Sequence, residues 1–245
     1  MKKISNFCII TFMLLGFMFT SGCKTEDPST EDPSSVGTVT DKDGNVYHTV
    51  KIGTQVWMVE NLKTTTYNDG TAIQLVTDFT AWRNLSTPGY CWFNNISTYK
   101  NMYGALYNWY AVGTGKLAPI GWHVPTEAEW EKLNSYVTSK FGASGAAKAL
   151  AATTDWNAWS DAGSIGNDLS KNNGTGFSAL PGGYRFFNDA QGFSNFGDGG
   201  LWWSSSASNT AAWDWDLFCD YSAVYGGGDA SMEKQNGLSV RCVKD

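Results

Sequence analysis

The first 22 residues are the feature that most constrains what this chain can fold into. They have the layout of a segment that is removed before the protein folds, so the fold is built from the residues that follow. Two lysines open the chain, Ile4–Phe19 is mostly apolar, and the small residues Ser21 and Gly22 follow. This order is typical of a secretory signal peptide. The apolar run is shorter than the ~20 residues that a membrane-spanning helix needs. We therefore predict a signal peptide over residues 1–22 and an exported mature protein.

The next feature is a cysteine directly after the signal. Thr20-Ser21-Gly22-Cys23 resembles a lipobox, the site where lipoprotein signal peptidase cleaves and the new terminal cysteine is acylated. Leu is usual at the Thr20 position, so an ordinary signal peptide with a chance cysteine stays open as the alternative. Each buried methylene contributes about 0.8 kcal/mol, so several acyl chains would hold the protein on a membrane. We predict a membrane anchor through lipidated Cys23.

Residues 23–35 are predicted to be a disordered linker. They carry four carboxylates and two prolines but no large apolar residue, so they cannot bury enough surface to offset the entropy of ordering. Lys24-Thr25-Glu26-Asp27 is also similar to the acidic export signal that some Gram-negative groups place after the lipid cysteine. That similarity implies an outer-membrane anchor with the protein exposed on the cell surface. A solvated linker without a sorting role is the equal alternative.

Residues 36–245 are predicted to form one domain, because no second linker-like break follows. Aromatic residues make up 15% of the chain and include 12 Trp, which can fill a sizeable core. The formal net charge is -6 and no basic stripe is present, so the chain would repel nucleic-acid phosphates. We therefore exclude nucleic acid as a partner.

Short strands are predicted at both ends of the domain. Val36–Trp57 alternates around Asp43-Gly44, a strong signal for a tight hairpin turn. The second half is rich in Gly, Ser, Asn and Asp, which indicates long loops between strands at Leu201–Trp203 and Trp213–Phe218. Leu238–Val243 alternates as a closing strand.

Three helices are predicted, and the one that starts at Thr126 is the clearest. Thr126 and Glu129 make a capping box, in which each side chain pairs with a backbone N–H that the helix start leaves free. The apolar stripe that follows at three- and four-residue steps consists of Trp130, Leu133, Val137 and Phe141. The other helices are expected at Tyr103–Val112 and Ala143–Ala152.

Six ordered segments resemble one known family. They are Thr40–Tyr47, Trp57–Leu62, Tyr103–Trp109, Gly121–Thr126, Phe177–Gly183 and Ser239–Cys242. Together they are similar to the FISUMP domain, a major paralogous domain of Fibrobacter, over Val36–Asp245. Members are typically exported, often as lipoproteins, and their molecular role is largely unassigned.

A more distant likeness concerns the fold. Pro125–Glu131 and Val240–Cys242 resemble the formylglycine-generating, sulfatase-modifying superfamily, which has a C-type-lectin-like fold. The likeness implies an α+β domain with two main helices, an antiparallel sheet and long irregular loops. Fold alone does not give function.

The FISUMP resemblance also implies a disulfide. Related sequences commonly have a cysteine where this chain has Ala118, and they also have one in the segment that contains Cys91. The implied pair is therefore Cys91 with Cys242, which leaves Cys219 free. A bond between Cys219 and Cys242 is the alternative.

No catalytic set stands out, so we predict no enzyme activity, no cofactor and no metal site. His48 and His123 are too few for the histidine cluster of iron-dependent relatives of the superfamily. If Cys242 is in a disulfide, the chain lacks the thiol pair that a formylglycine-generating oxidase needs. A glycosidase would need two carboxylates held ~5–9 Å apart, and nothing in the sequence pairs any.

The loop-rich half supplies candidate ligand-binding residues. Exposed Trp and Tyr rings stack on sugar faces, and an indole N–H also donates hydrogen bonds. The candidates are Trp213, Trp215, Asp216 and Tyr225. The leading hypothesis is a non-catalytic binding or display domain, with a glycan as its candidate ligand. A structural envelope protein with a protein partner and a cryptic enzyme of the sulfatase-modifying type are the alternatives.

Overall fold

The structure is a computed structural model that describes residues 35–188, 192–226 and 232–245. The predicted signal peptide, the lipidated Cys23 and the linker up to residue 34 lie outside the described residues. Within the described ranges, none of the helices has both the length and the apolar character that a membrane crossing requires.

The described residues form short strands and mostly short helices. The strands are β1 (Ser35–Thr40), β2 (Val46–Ile52), β3 (Gln55–Met58), β4 (Gln74–Leu75), β5 (Gly89–Cys91), β6 (Leu106–Tyr107), β7 (Trp122–His123), β8 (Gly182–Arg185), β9 (Phe193–Phe196), β10 (Gly199–Ala207), β11 (Ala211–Phe218), β12 (Tyr225–Gly226), β13 (Met232–Glu233) and β14 (Val243–Lys244). The α-helices are α1 (Phe79–Arg83), α2 (Lys100–Tyr103), α3 (Trp109–Val112), α4 (Glu127–Phe141) and α5 (Ala146–Leu150). Short 3-10 turns lie at Phe93–Asn95, Ser97–Tyr99, Ala143–Gly145 and Leu169–Lys171.

The first sheet has the strand order β1-β2-β3-β14-β7, and all its pairs are antiparallel. The predicted turn between β1 and β2 is confirmed, and the Asp41 carboxylate holds it. That carboxylate accepts the backbone N–H of Asp43 at 3.0 Å and of Asn45 at 2.9 Å, and the Tyr47 hydroxyl at 2.6 Å. Val243 in β14 pairs with β3 and with β7, so β14 lies inside this sheet. The predicted strand over Leu238–Val243 is wrong for most of its length, because Leu238 and Ser239 form only isolated bridges and β14 begins at Val243.

The second sheet has the order β12-β11-β10-β8-β9, and β13 also pairs with β11. The hairpin of β10 and β11 at its centre confirms the two predicted aromatic strands. A third, small sheet has the order β4-β5-β6. Most pairs are antiparallel, whereas β8 with β10 and β4 with β5 are parallel. The domain therefore contains both α-helices and β-sheets. This confirms the mixed α and β content that the sequence predicted.

The β10–β11 hairpin separates two parts of the core, because successive side chains of a strand point to opposite faces. Leu201 and Trp203 pack into one cluster, which also contains residues of β2 and β3. Trp202 and Trp215 pack into the other, around Trp57. The aromatic residues thus fill the core, as the composition predicted.

Helix α4 confirms the clearest sequence prediction. The capping box of Thr126 and Glu129 is present, with the Thr126 N–H donating to the Glu129 carboxylate at 2.8 Å. Three members of the predicted stripe, Trp130, Leu133 and Val137, are buried. The fourth, Phe141, is 43% exposed. It is the last helical residue, and Gly142 takes a φ of 76° directly after it, so the chain turns away before that side chain reaches the core.

The expected single helix over Tyr103–Val112 is wrong. Gly104 adopts a φ of 78° and ends α2, and β6 then separates α2 from α3. A Cβ at Gly104 would lie 2.7 Å from the Leu62 carbonyl oxygen, so the break is built around this close approach. Asn108 caps the separate helix α3 by accepting the Ala111 N–H. Of the two main helices that the superfamily resemblance implied, only α4 is long among the described residues.

The third expected helix, Ala143–Ala152, is present in a shorter form. A 3-10 turn at Ala143–Gly145 leads into α5.

The cysteine prediction is corrected by the structure. Cys91, Cys219 and Cys242 are buried free thiols, so the Cys91–Cys242 bond is not formed. The two thiols belong to different hydrophobic clusters: Cys91 packs with Trp82 and Phe93, and Cys242 packs with the cluster that contains Tyr47. Cys219 lies in a third cluster, which also contains Trp215.

Candidate functional site

Trp215 does not offer its ring to a ligand. It is 2% exposed, and its ring stacks on Trp130 with 5.9 Å between the ring centroids and 14° between the planes. Its indole N–H donates to Glu127 Oε2 at 2.9 Å. The expectation of an exposed Trp215 is therefore corrected: the alternating strand places this side chain against α4.

The other predicted ligand residues are spread along the same strands. Trp213 and Asp216 are half-buried in β11, and Tyr225 in β12 is 52% exposed. Asp216 and Tyr225 are paired across the ladder, and the Tyr225 ring lies 4.3 Å from that of Tyr221. The structure thus brings Asp216 and Tyr225 together but gives them no open aromatic platform that includes Trp215.

Two carboxyl groups of β11 have unusual electrostatics. Burial raises the pKa of Asp214 to about 6 and that of Asp216 to about 7, and the nearby Asp214 charge adds to the second shift. Among the described residues, the buried Asp216 Oδ1 has no hydrogen-bond partner. Asp214 lies opposite Trp203 and Asp216 opposite Leu201, so both lie on the hairpin face that carries Leu201 and Trp203. Both are therefore partly buried carboxyls within a packed pair of strands.

His123 has a structural environment. One ring nitrogen lies 2.6 Å from Asp245 Oδ1 and the other lies 2.8 Å from Glu129 Oε1. Partial burial lowers the pKa of His123, but the hydrogen bonds to the two carboxylates outweigh it and the net shift is upward. This imidazole therefore ties the end of the chain to the start of α4. Within the described residues, no three His, Cys, Asp or Glu side chains converge to hold a metal ion.

A site of ligand size lies on the exposed side of α4. Two cavities of about 390 and 400 Å³ share Ile52 and Tyr136 in their walls. We call these two cavities the α4 groove. The first is also lined by Lys51, Lys140, Phe141, Gly174 and Thr175, and the second by Gly53, Thr54, Gln55 and Lys132. Both volumes fall within the roughly 300–1,000 Å³ typical of small-molecule sites.

The helical repeat builds one wall of the groove. Lys132, Tyr136 and Lys140 are four residues apart in α4, so they form a row along one face of the helix. All three are exposed, whereas Trp130, Leu133 and Val137 are buried on the other side. The strand β2 and the turn after it supply the opposite wall, including Lys51 and Ile52.

Two glycines support the aromatic rings of the groove. Gly53, in the turn between β2 and β3, has a φ of +62°, and a Cβ there would lie 2.9 Å from Tyr136 Cδ2. A Cβ at Gly174 would lie 2.8 Å from Phe141 Cε1. Each ring thus rests on bare backbone and stays partly exposed, at 37% for Tyr136 and 43% for Phe141. One side of each ring is therefore packed on backbone, and part of the ring remains accessible to solvent.

The groove is positively charged. Lys51, Lys132 and Lys140 line it, and no Asp or Glu is among its lining residues. The Lys140 ammonium lies 5.9 Å from the Tyr136 ring centroid. The positive charge of the groove therefore contrasts with the net charge of -6 of the whole chain.

The sequence alone does not reveal this site. The four-residue spacing of Lys132, Tyr136 and Lys140 was available as a signal, but it reads as an ordinary solvated helix face. What distinguishes it is the contact of two rings with Gly53 and Gly174, which are far away in the sequence. Phe141 was assigned to the buried stripe and not to the surface.

The family model of the Fibrobacter succinogenes major domain matches residues 50–244. The chain belongs to this family. The match confirms the FISUMP resemblance, and it includes every residue that lines the α4 groove. No curated protein and no solved structure matches the chain.

Several of the FISUMP segments meet at one buried residue, Arg241. Its guanidinium donates to the Phe177 carbonyl and lies 4.3 Å from the Phe177 ring centroid. It also donates to Asn61, whose amide nitrogen donates to the Tyr103 carbonyl at 2.9 Å. Four of the family's segments are therefore tied together by this contact. The FISUMP motifs explain how the fold is held, and they leave the groove as a separate surface feature.

Proposed function

We propose that this chain is a non-catalytic binding domain of an exported lipoprotein and that it binds glycans at the α4 groove. One observation carries the proposal: Tyr136 and Phe141 are exposed rings that rest on glycine backbone and border cavities of ligand size. A sugar ring has an apolar face that packs on an aromatic ring and hydroxyl groups that pair with polar neighbours. Thr54, Gln55 and Thr175 supply such neighbours in the walls.

The finer fold assignment is part of the proposal. The similarity of Pro125–Glu131 and Val240–Cys242 to the sulfatase-modifying superfamily supports a C-type-lectin-like arrangement. The mostly antiparallel sheets and the long irregular loops are compatible with it. We infer no enzyme activity, because the three free thiols lie in three different hydrophobic clusters and the sequence offers no histidine cluster for the chemistry of that superfamily.

The place of action follows from the start of the chain. The lipobox-like sequence before Cys23 supports a lipid anchor, and the acidic residues after it support an outer-membrane protein exposed on the cell surface. Labelling with palmitate tests the anchor, since Cys23→Ser should abolish incorporation. Protease treatment of whole cells tests exposure: a domain that stays intact until the cells are lysed would contradict the surface location.

A glycan screen with the full mature chain in detergent tests the binding function. We expect retardation by at least one polysaccharide, and we expect Tyr136→Ala or Phe141→Ala to weaken it strongly. Tyr225→Ala is the matched control, because Tyr225 is an exposed aromatic residue outside the groove. Loss of binding in Tyr225→Ala but not in Tyr136→Ala would move the site to β11 and β12. If the protein binds no glycan in this screen, the proposal is wrong.

A further inference from the structure

We propose that the α4 groove is selective for acidic polysaccharides, whose sugars carry carboxylate groups. This inference rests on the proposed glycan binding and adds the chemical class of the ligand. It starts from the three lysines of the groove, Lys51, Lys132 and Lys140, and from the absence of Asp and Glu among the residues that line it.

The charges of these three lysines are not neutralised by carboxylates, although the Lys140 ammonium also lies near the Tyr136 ring. Among the described residues, none of the three forms an ion pair with a carboxylate. Elsewhere, Lys116 pairs with Asp69 at 2.9 Å, and the Lys234 ammonium donates to the Ser208 carbonyl at 2.7 Å. The lysines of the groove therefore keep their hydrogen-bond donors for a ligand.

The spacing of the groove fits a chain of sugars better than a single anion. Lys132 and Lys140 are eight residues apart in α4, which corresponds to ~12 Å along the helix axis. Tyr136 lies between them, one turn from each. A polymer with a carboxylate on successive sugars can pair with both lysines while an intermediate ring lies on Tyr136. The cavities on both sides of Tyr136 provide space for that path.

A polyanion without sugar faces fits less well. Nucleic-acid binding grows with the number of phosphates that cations neutralise, and three lysines on a chain of net charge -6 give a small contribution. The two supported rings of the groove add contacts with the apolar faces of sugars. Charge and aromatic surface together therefore favour an acidic polysaccharide.

Titration calorimetry on the full mature chain in detergent tests the inference with polygalacturonate and its methyl ester. The two polymers share a backbone, but esterification removes the negative charges. We expect polygalacturonate to bind about ten-fold more tightly than the ester, and we expect this preference to shrink as salt is added. The double variant Lys132→Gln/Lys140→Gln should lose about ten-fold in affinity for polygalacturonate, since each exposed ion pair contributes modestly. Its affinity for the ester should not change.

Two controls make the outcomes separable. Lys42→Gln removes one exposed positive charge outside the groove and should leave both affinities unchanged. Tyr136→Ala should lower the affinity for both polymers to the same extent, because the ring contacts the sugar whether or not the sugar is charged. Equal binding of both polymers by the wild type, or a double variant with wild-type affinity, would overturn the acidic selectivity and leave glycan binding intact. If neither polymer binds, the selectivity is overturned, and if neutral glycans fail as well, so is the proposed function.

Discussion

Asn61 accepts two hydrogen bonds from Arg241 through a single atom, Oδ1, from Nε at 3.2 Å and from Nη2 at 2.8 Å. Both residues are buried. Neutral groups solvate the guanidinium, and burial lowers the pKa of Arg241 to about 9. The same oxygen of Asn61 accepts the Trp202 indole N–H at 2.8 Å. A buried cation is costly unless its hydrogen bonds are made, so the core of this domain depends on the Asn61 amide.

Asn61→Leu should therefore destabilise the domain strongly. It leaves the buried charge without its main side-chain acceptor, and we expect the free energy of unfolding to fall by ~3 kcal/mol. Urea unfolding followed by Trp fluorescence measures the change. Asn84→Leu is the control, because its exposed side chain makes one hydrogen bond in α1 and should cost about 0.5 kcal/mol or less. Equal losses in the two variants would contradict a special role for Asn61.

The raised pKa values of Asp214 and Asp216 predict that the domain is more stable in mild acid. Both carboxyls titrate at 3.8 in the unfolded chain but at about 6 and about 7 in the fold. Between those values the unfolded state has already lost the protons that the folded state retains. The contribution of the pair to the free energy of unfolding should therefore fall as the pH rises from about 4 to about 7.

Asp216→Asn should flatten this dependence. The variant cannot ionise at that position, so it should gain on the order of 2 kcal/mol relative to the wild type between pH 4 and pH 8. Chemical denaturation at several pH values measures both slopes. Asp220→Asn changes an exposed carboxylate next to the same strand and should keep the wild-type slope. The burial argument fails if Asp216→Asn and the wild type show parallel pH profiles.

The cysteine arrangement gives a prediction that separates the sequence inference from the structure. Burial raises the pKa of Cys91 and of Cys219 to about 11. Both are poor nucleophiles in the fold, and the fully buried Cys242 has its pKa raised as well. We expect the mature protein to react slowly with a thiol reagent when native and to titrate three thiols when unfolded without reductant. Detection of a single thiol would instead show that two of the three cysteines form a disulfide, as the sequence resemblance implied.

Local signals predicted local structure well. Asp43-Gly44 gave the first hairpin, and Thr126 with Glu129 gave the start of α4, because each depends on residues a few positions apart. Alternation also located the β10–β11 hairpin.

The prediction failed where distant residues decide. Gly104 breaks a helical pattern because the Leu62 carbonyl lies against it, and Trp215 is covered by Trp130 of α4. Phe141 continued the apolar period but lies beyond the reach of the core. The groove depends on such distant contacts, so its lysines and rings can be read from the sequence but their meeting in one place cannot.

Gly53→Ala tests whether backbone support of Tyr136 matters for binding. The new Cβ would lie 2.9 Å from Tyr136 Cδ2, so the ring must move away from the turn. The positive φ of +62° adds backbone strain, which should cost ~1 kcal/mol in the free energy of unfolding.

Gly115→Ala is the matched control for that strain. Gly115 has a φ of +68°, and a Cβ there meets nothing within 4 Å. Both variants should therefore lose similar stability, whereas Gly53→Ala alone should lose glycan affinity in the same titration that tests the groove. If the two variants bind equally well, the ring does not need its glycine support, and the contact between Tyr136 and Gly53 serves only to pack α4 against the turn.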